Sequence, residues 1–185
     1  MTEIGKSAGE TTGAYKGAKE ALEGRGFLVF TVKPQSLDQL LTEKESYFGY
    51  VIPSKNLRRI VPPSMVVAIN PNQVALHESN NKPIDRQLAM TRNYSRRLQK
   101  ETGLKDIEAI LTHASVYAQL DIAYQEQRKG KLFPDFYACT IDKTIGSNVA
   151  NVGRGYVGDP LNVAWLRVGG DQVYAVPVVV LPSRK

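Results

Sequence analysis

Cysteine is nearly absent from this chain: of 185 residues only Cys139 carries a thiol, which excludes an intramolecular disulfide and any multi-cysteine zinc site. A lone thiol fits a reducing compartment. Histidine is almost as scarce, and neither His77 nor His113 has a catalytic partner at a recognisable motif spacing. Long apolar runs are missing too. Val173 to Leu181 is interrupted by Pro177 and far too short to cross a bilayer, and Met1 to Glu10 lack the charged-then-apolar order of a secretory signal. Finally, charge is not concentrated: the formal net charge of +6 divides evenly, with residues 1 to 60, 61 to 130 and 131 to 185 each carrying +2, so there is no basic tail. Together these absences point to a soluble chain with no membrane contact, no metal and no cofactor. The expected location is cytoplasmic, or inside an intracellularly assembled particle.

What is present is enough apolar material, 42% of residues, for one well-filled core. The first 24 residues differ from the rest. They are small and polar, with Gly5, Gly9, Gly13 and Gly17 spaced every four residues, and each glycine lowers helix stability by roughly 1 kcal/mol relative to alanine. We therefore expect residues 1–24 to form a flexible or partner-ordered arm and residues 25–185 to form one domain.

Within that domain, Phe27 to Lys33 reads as a strand, and Ser36 with Gln39 forms an S-x-x-Q capping box for a short helix. Pro53, Pro62 and Pro63 break the chain around a basic loop from Lys55 to Arg59. Met65 to Ile69 and Gln73 to His77 are spaced as a hairpin about Asn70-Pro71-Asn72. Two amphipathic helices follow, one from Ile84 to Gly103 and one from about Lys105 to Gln127. From Phe133 the pattern turns to strands: Phe136 to Ile141, Asn162 to Val168, and Gln172 to Val180, the last two joined by Gly169-Gly170-Asp171. The expected fold is α+β, with two central amphipathic helices packed on a mostly antiparallel sheet.

The helix from Ile84 holds the strongest contrast in the sequence. Ile84, Leu88, Thr91, Tyr94, Ser95 and Leu98 share one stripe, while Arg86, Arg92, Arg96, Arg97 and Lys100 spread over the opposite side. The stripe anchors; the other face is a candidate contact for phosphate or for a protein carboxylate. The following segment is acidic, carrying Glu101, Asp106, Glu108, Asp121 and Glu126 against Lys105, so some of these arginines could pair within the chain. Further candidate anion or partner contacts are Lys55, Arg58 and Arg59 in the basic loop, and Arg154.

Arg154 lies in Gly153-Arg154-Gly155-Tyr156-Val157-Gly158, which matches G-x-G-x-x-G to the letter. A dinucleotide site needs a helix after those glycines, and Asp159-Pro160 followed by a strand-like run stands there instead, so the segment reads as a structural turn. Gly5-Lys6-Ser7 lacks the earlier glycine and strand of a phosphate loop. Arg25-Gly26-Phe27 opens like the central strand of the RNA-recognition motif, but Leu28 and Val29 depart from that pattern, leaving a buried strand. Asp135 and Asp142 flank the strand that holds Cys139 and read as turn residues.

With no catalytic set in view, the expectation is a non-enzymatic structural or assembly subunit of a larger complex, such as a virion or another multi-subunit particle. Its partners would be other subunits or further copies of itself, engaged through the arm 1–24 and an apolar edge strand at 172–180. The alternative is a nucleic-acid-binding protein that uses the basic helix face.

Overall fold

The structure, a computed structural model, describes residues 8–128, 130–143, 148–165 and 171–183. The fold is α+β: five helices and two mostly antiparallel sheets, where the sequence suggested a single sheet. The larger part of the core lies between the sheets and is threaded by one helix.

Helix α1 (Ala8–Glu23) precedes β1 (Leu28–Val32), and the capping box at Ser36 opens α2 (Leu37–Lys44) as expected. Ser36 Oγ accepts from the Gln39 amide at 3.3 Å while Gln39 Oε1 accepts from the Ser36 amide at 2.8 Å, so two helix-start donors are satisfied by two side chains. β2 (Phe48–Val51), the single-turn helix α3 (Lys55–Arg58) and β3 (Met65–Ile69) complete the first half. The second half runs α4 (Ile84–Thr102), β4 (Glu108–Ile110), α5 (Ala114–Arg128), β5 (Tyr137–Lys143), β6 (Val149–Gly153), β7 (Leu161–Ala164), β8 (Val173–Tyr174) and β9 (Val178–Val180).

Sheet A has the order β1-β3-β9-β4 and is antiparallel throughout. Its two faces follow the period-2 alternation of its strands. Phe30, Val32, Val67, Ile69 and Val178 point towards α5, α2 and the second sheet, and Ala68, Val179 and Ala109 point the other way, under α1. Sheet B has the order β2-β7-β6-β5-β8, with parallel pairing only at its two ends. α5 is buried on nearly every side over its first two turns because both sheets and α2 pack around it.

Of the arm expected at 1–24, residues 8–23 form α1, with Tyr15, Ala18 and Leu22 buried against sheet A, and residues 1–7, including Gly5-Lys6-Ser7, lie outside the described residues. Three expectations change. The hairpin arm at Gln73 to His77 does not form, because β3 already pairs with β1 on one side and β9 on the other. The second central helix starts at Ala114, and the segment before it is β4. The expected edge strand at 172–180 divides at Pro177. Val173–Tyr174 is a two-residue edge of sheet B, whereas Val178–Val180 is an inner strand of sheet A, apolar at both parities because both faces are covered. Of the strand expected at 162–168 and the turn at 169–171, residues 166–170 lie outside the described residues.

Candidate functional site

α4 stands at the open edge of sheet A, and its sequence explains how it stays there. It begins after Pro83, whose carbonyl accepts from the Arg86 and Gln87 amides, and it ends at Gly103, which takes the left-handed conformation at φ 72°. Its buried line is Gln87, Thr91, Ser95 and Leu98, mostly polar because it meets a strand edge as well as an apolar surface. On β4 the amide of Ala109 and the carbonyl of Ile107 point away from β9. Ser95 Oγ accepts from the former at 2.9 Å and Gln99 Nε2 donates to the latter at 2.6 Å. The helix thus closes an edge that would otherwise offer unpaired backbone groups. Apolar anchors complete the contact: Ile84 against Tyr137, Cys139 and Val173, Leu88 and Tyr94 near Leu76 and Ala175, and Leu98 beneath α1.

The other side of α4 faces solvent along its length. Arg86, Arg92, Arg96, Arg97 and Lys100 are all exposed, as the stripe pattern predicts. Arg97 lies 5.7 Å over the Tyr94 ring and 3.9 Å from Glu101. Arg86, Arg92, Arg96 and Lys100 make no ion pair among the described residues. The acidic segment that follows does not neutralise them, because it is not a helix laid antiparallel to α4. Asp121 is buried with Arg154, Glu126 binds Lys44 at 2.7 Å, and Glu101 is shared between Arg97 and Arg25. Between α4 and the 105–109 segment runs a groove of about 430 Å³ whose walls include Arg92, Arg96 and Lys105, with Asp106 and Glu108 opposite.

The remaining candidates are elsewhere. Lys55 and Arg59 are exposed on and just after α3, and Arg58 ties α3 to Asp38 of α2; α2 packs on α5, so this group stands with α5 rather than with α4. Arg154 is corrected outright as a solution-facing anion contact. It is 1% exposed, and its guanidinium grips Asp121 in a fork at 3.0 and 2.7 Å while also donating to the carbonyls of Phe133 and Asp159. The glycine pattern around it is structural: a side chain at Gly153 would collide with the Phe136 carbonyl, and Gly158 has φ +110°.

Two titratable groups were not legible as functional or structural partners. His113 Nδ1 sits 2.6 Å from Asp142 Oδ1, and Asp142 Oδ2 accepts from the Ala114 amide at 2.6 Å, so one carboxylate from β5 both orients the imidazole and caps α5. The hydrogen bond to Asp142 raises the His113 pKa, against the lowering effect of burial. His113 lines neither the α4 groove nor the cavity of about 530 Å³ beside Lys131 and Asp159. His77 is exposed beside Glu78. Cys139 is fully buried and its thiol is pushed up to about 12 by burial, which keeps it protonated. Among the described residues no helix is long and apolar enough to cross a membrane. Comparison with known proteins finds no matching family model, no matching curated protein and no matching solved structure.

Proposed function

We propose that the protein binds nucleic acid through the solvent face of α4, with its arginines and Lys100 against the phosphate backbone. The observation that carries this reading is the set of four exposed cations, Arg86, Arg92, Arg96 and Lys100, without an ion pair among the described residues and on one anchored helix. Arg92, Arg96 and Lys100 follow one another at four-residue intervals, a row with a rise of about 6 Å per step. Such a row suits a polymer of regularly spaced anions, and Lys105 across the groove extends it. Binding should weaken steeply with salt through counterion release, by about one unit of log–log slope for each phosphate contact. Equilibrium titration of labelled DNA and RNA at several salt concentrations tests this; binding that is absent at low salt, or indifferent to salt, contradicts it.

A second reading, a subunit of a larger assembly, retains one observation. Gly13 and Gly17 are exposed on α1 and a Cβ built at either meets nothing within 4 Å, so their smallness serves no contact among the described residues. Light scattering after size exclusion tests that reading. A mass above one chain that Gly13→Leu with Gly17→Leu reduces supports it, and a concentration-independent single-chain mass contradicts it.

A further inference from the structure

We infer that α4 is a reading helix for duplex DNA, entering the major groove with Asn93 against base edges; this rests on the nucleic-acid reading above and adds the form of the polymer and the residue that discriminates sequence. At about 100° per residue the middle of the exposed face is formed by Arg86, Asn93, Arg97 and Lys100 around a half-buried Ala89, with Arg96 beside them and Arg92 turned towards the groove. The centre of the ridge is therefore a free amide beside a methyl group, and the cations stand around it. Asn93 is exposed and its side-chain amide makes no hydrogen bond among the described residues, so both its donor and its acceptor are available. An asparagine can pair bidentately with adenine N6 and N7, an arginine with guanine O6 and N7, and a small apolar side chain can meet a thymine methyl. Ala89, one turn before Asn93, leaves the room such an approach needs.

Shape selects among polymers. A helix with its side chains is about 10–12 Å across, matching a major groove about 12 Å wide in B-DNA, whereas the major groove of duplex RNA is too deep and narrow to be read. Single strands are usually held by stacking on exposed aromatic rings, and the exposed rings here, Tyr50, Tyr156 and Trp165, lie on β2, the 154–160 loop and the residue after β7. The one aromatic of α4, Tyr94, is half-buried and covered by Arg97. Arg92, at the flank of the ridge, is placed for the phosphates of one strand, away from Asp106 and Glu108 on the far wall of the groove.

The test uses the full chain and a pool of randomised duplex DNA, from which bound sequences are selected and compared with a scrambled duplex by fluorescence anisotropy. The inference expects an enriched sequence containing adenine. It also expects Asn93→Ala, a surface change whose folding is checked by circular dichroism, to reduce the preference for that sequence roughly 5- to 150-fold, with affinity for the scrambled duplex unchanged. Salt-dependent binding with no enriched sequence, an unchanged preference in Asn93→Ala, or tighter binding of single strands or duplex RNA overturns this inference and leaves the phosphate-contact reading standing. Failure of the wild-type chain to bind any of these polymers at low salt overturns both.

Discussion

Arg154 and Asp121 show how much one sequence motif can mislead and what it does instead. Four hydrogen bonds and full burial turn an arginine in a glycine-rich run into the clasp between α5 and the turn after β6, with Asp121 also accepting from the Leu132 and Phe133 amides. Removing one partner leaves the other charge buried and unpaired, so Arg154→Ala should cost about 3–5 kcal/mol, read as a lower urea midpoint. A loss under about 1 kcal/mol would contradict the clasp. His113 gives a second residue-scale prediction. Its folded pKa lies above its unfolded value near 6.5, so its bond to Asp142 contributes stability that is fully present below that value and fades as pH rises through the folded pKa. The Tm advantage of the wild type over His113→Gln should therefore be greatest below about pH 6.5 and shrink as the pH rises above it; an advantage that grows with pH would show the opposite linkage.

At the scale of elements, the junction of α4 and β4 decides whether the basic face is held rigidly. Ser95 Oγ accepts from the buried Ala109 amide, and Ser95→Ala should cost about 1–3 kcal/mol by leaving that donor unsatisfied. Arg92→Ala and Arg96→Ala, on the exposed side of the same helix, should each change stability by no more than about 0.5 kcal/mol. Equal effects on the two sides, measured by thermal unfolding, would mean that α4 is not anchored as described. This junction also marks where the sequence could be read and where it could not. The bounds of α4, its Gly103 cap, the Ser36 capping box and the outward arginines all follow from local chemistry. β4 does not, because Ile107, Ile110, Leu111 and Ala114 also fit a helical stripe. A period-2 signal was present in the buried Ile107, Ala109 and Leu111 around exposed Glu108, but three residues of strand are too few to outweigh the helix that follows. Likewise β8 and β9 read as one strand, because only tertiary pairing shows that Pro177 separates two sheets.

For the whole molecule, the α+β class follows from the pattern of elements, but two sheets with one inner face each required pairings between segments far apart in sequence. The same arrangement places α4 outermost at one sheet edge, tied to the β4 segment through Ser95 and Gln99, with its cations on the solvent side. One feature that suggested assembly, the apolar strand Val178–Val180, finds its cover inside the chain. Of the carboxylates that follow α4 in the chain, Asp121, Glu126 and Glu101 are held by Arg154, Lys44 and Arg25, while Asp106 and Glu108 line the groove beside Arg92 and Arg96 without an ion pair among the described residues. The central claim is that these free cations meet phosphate, and the most direct measurement is the salt dependence of duplex DNA binding by the wild type and by the Arg92→Ala, Arg96→Ala double variant. The account predicts that the variant keeps its fold, binds more weakly at low salt, and loses about two units of log–log slope. An unchanged affinity and slope in a folded double variant would contradict it.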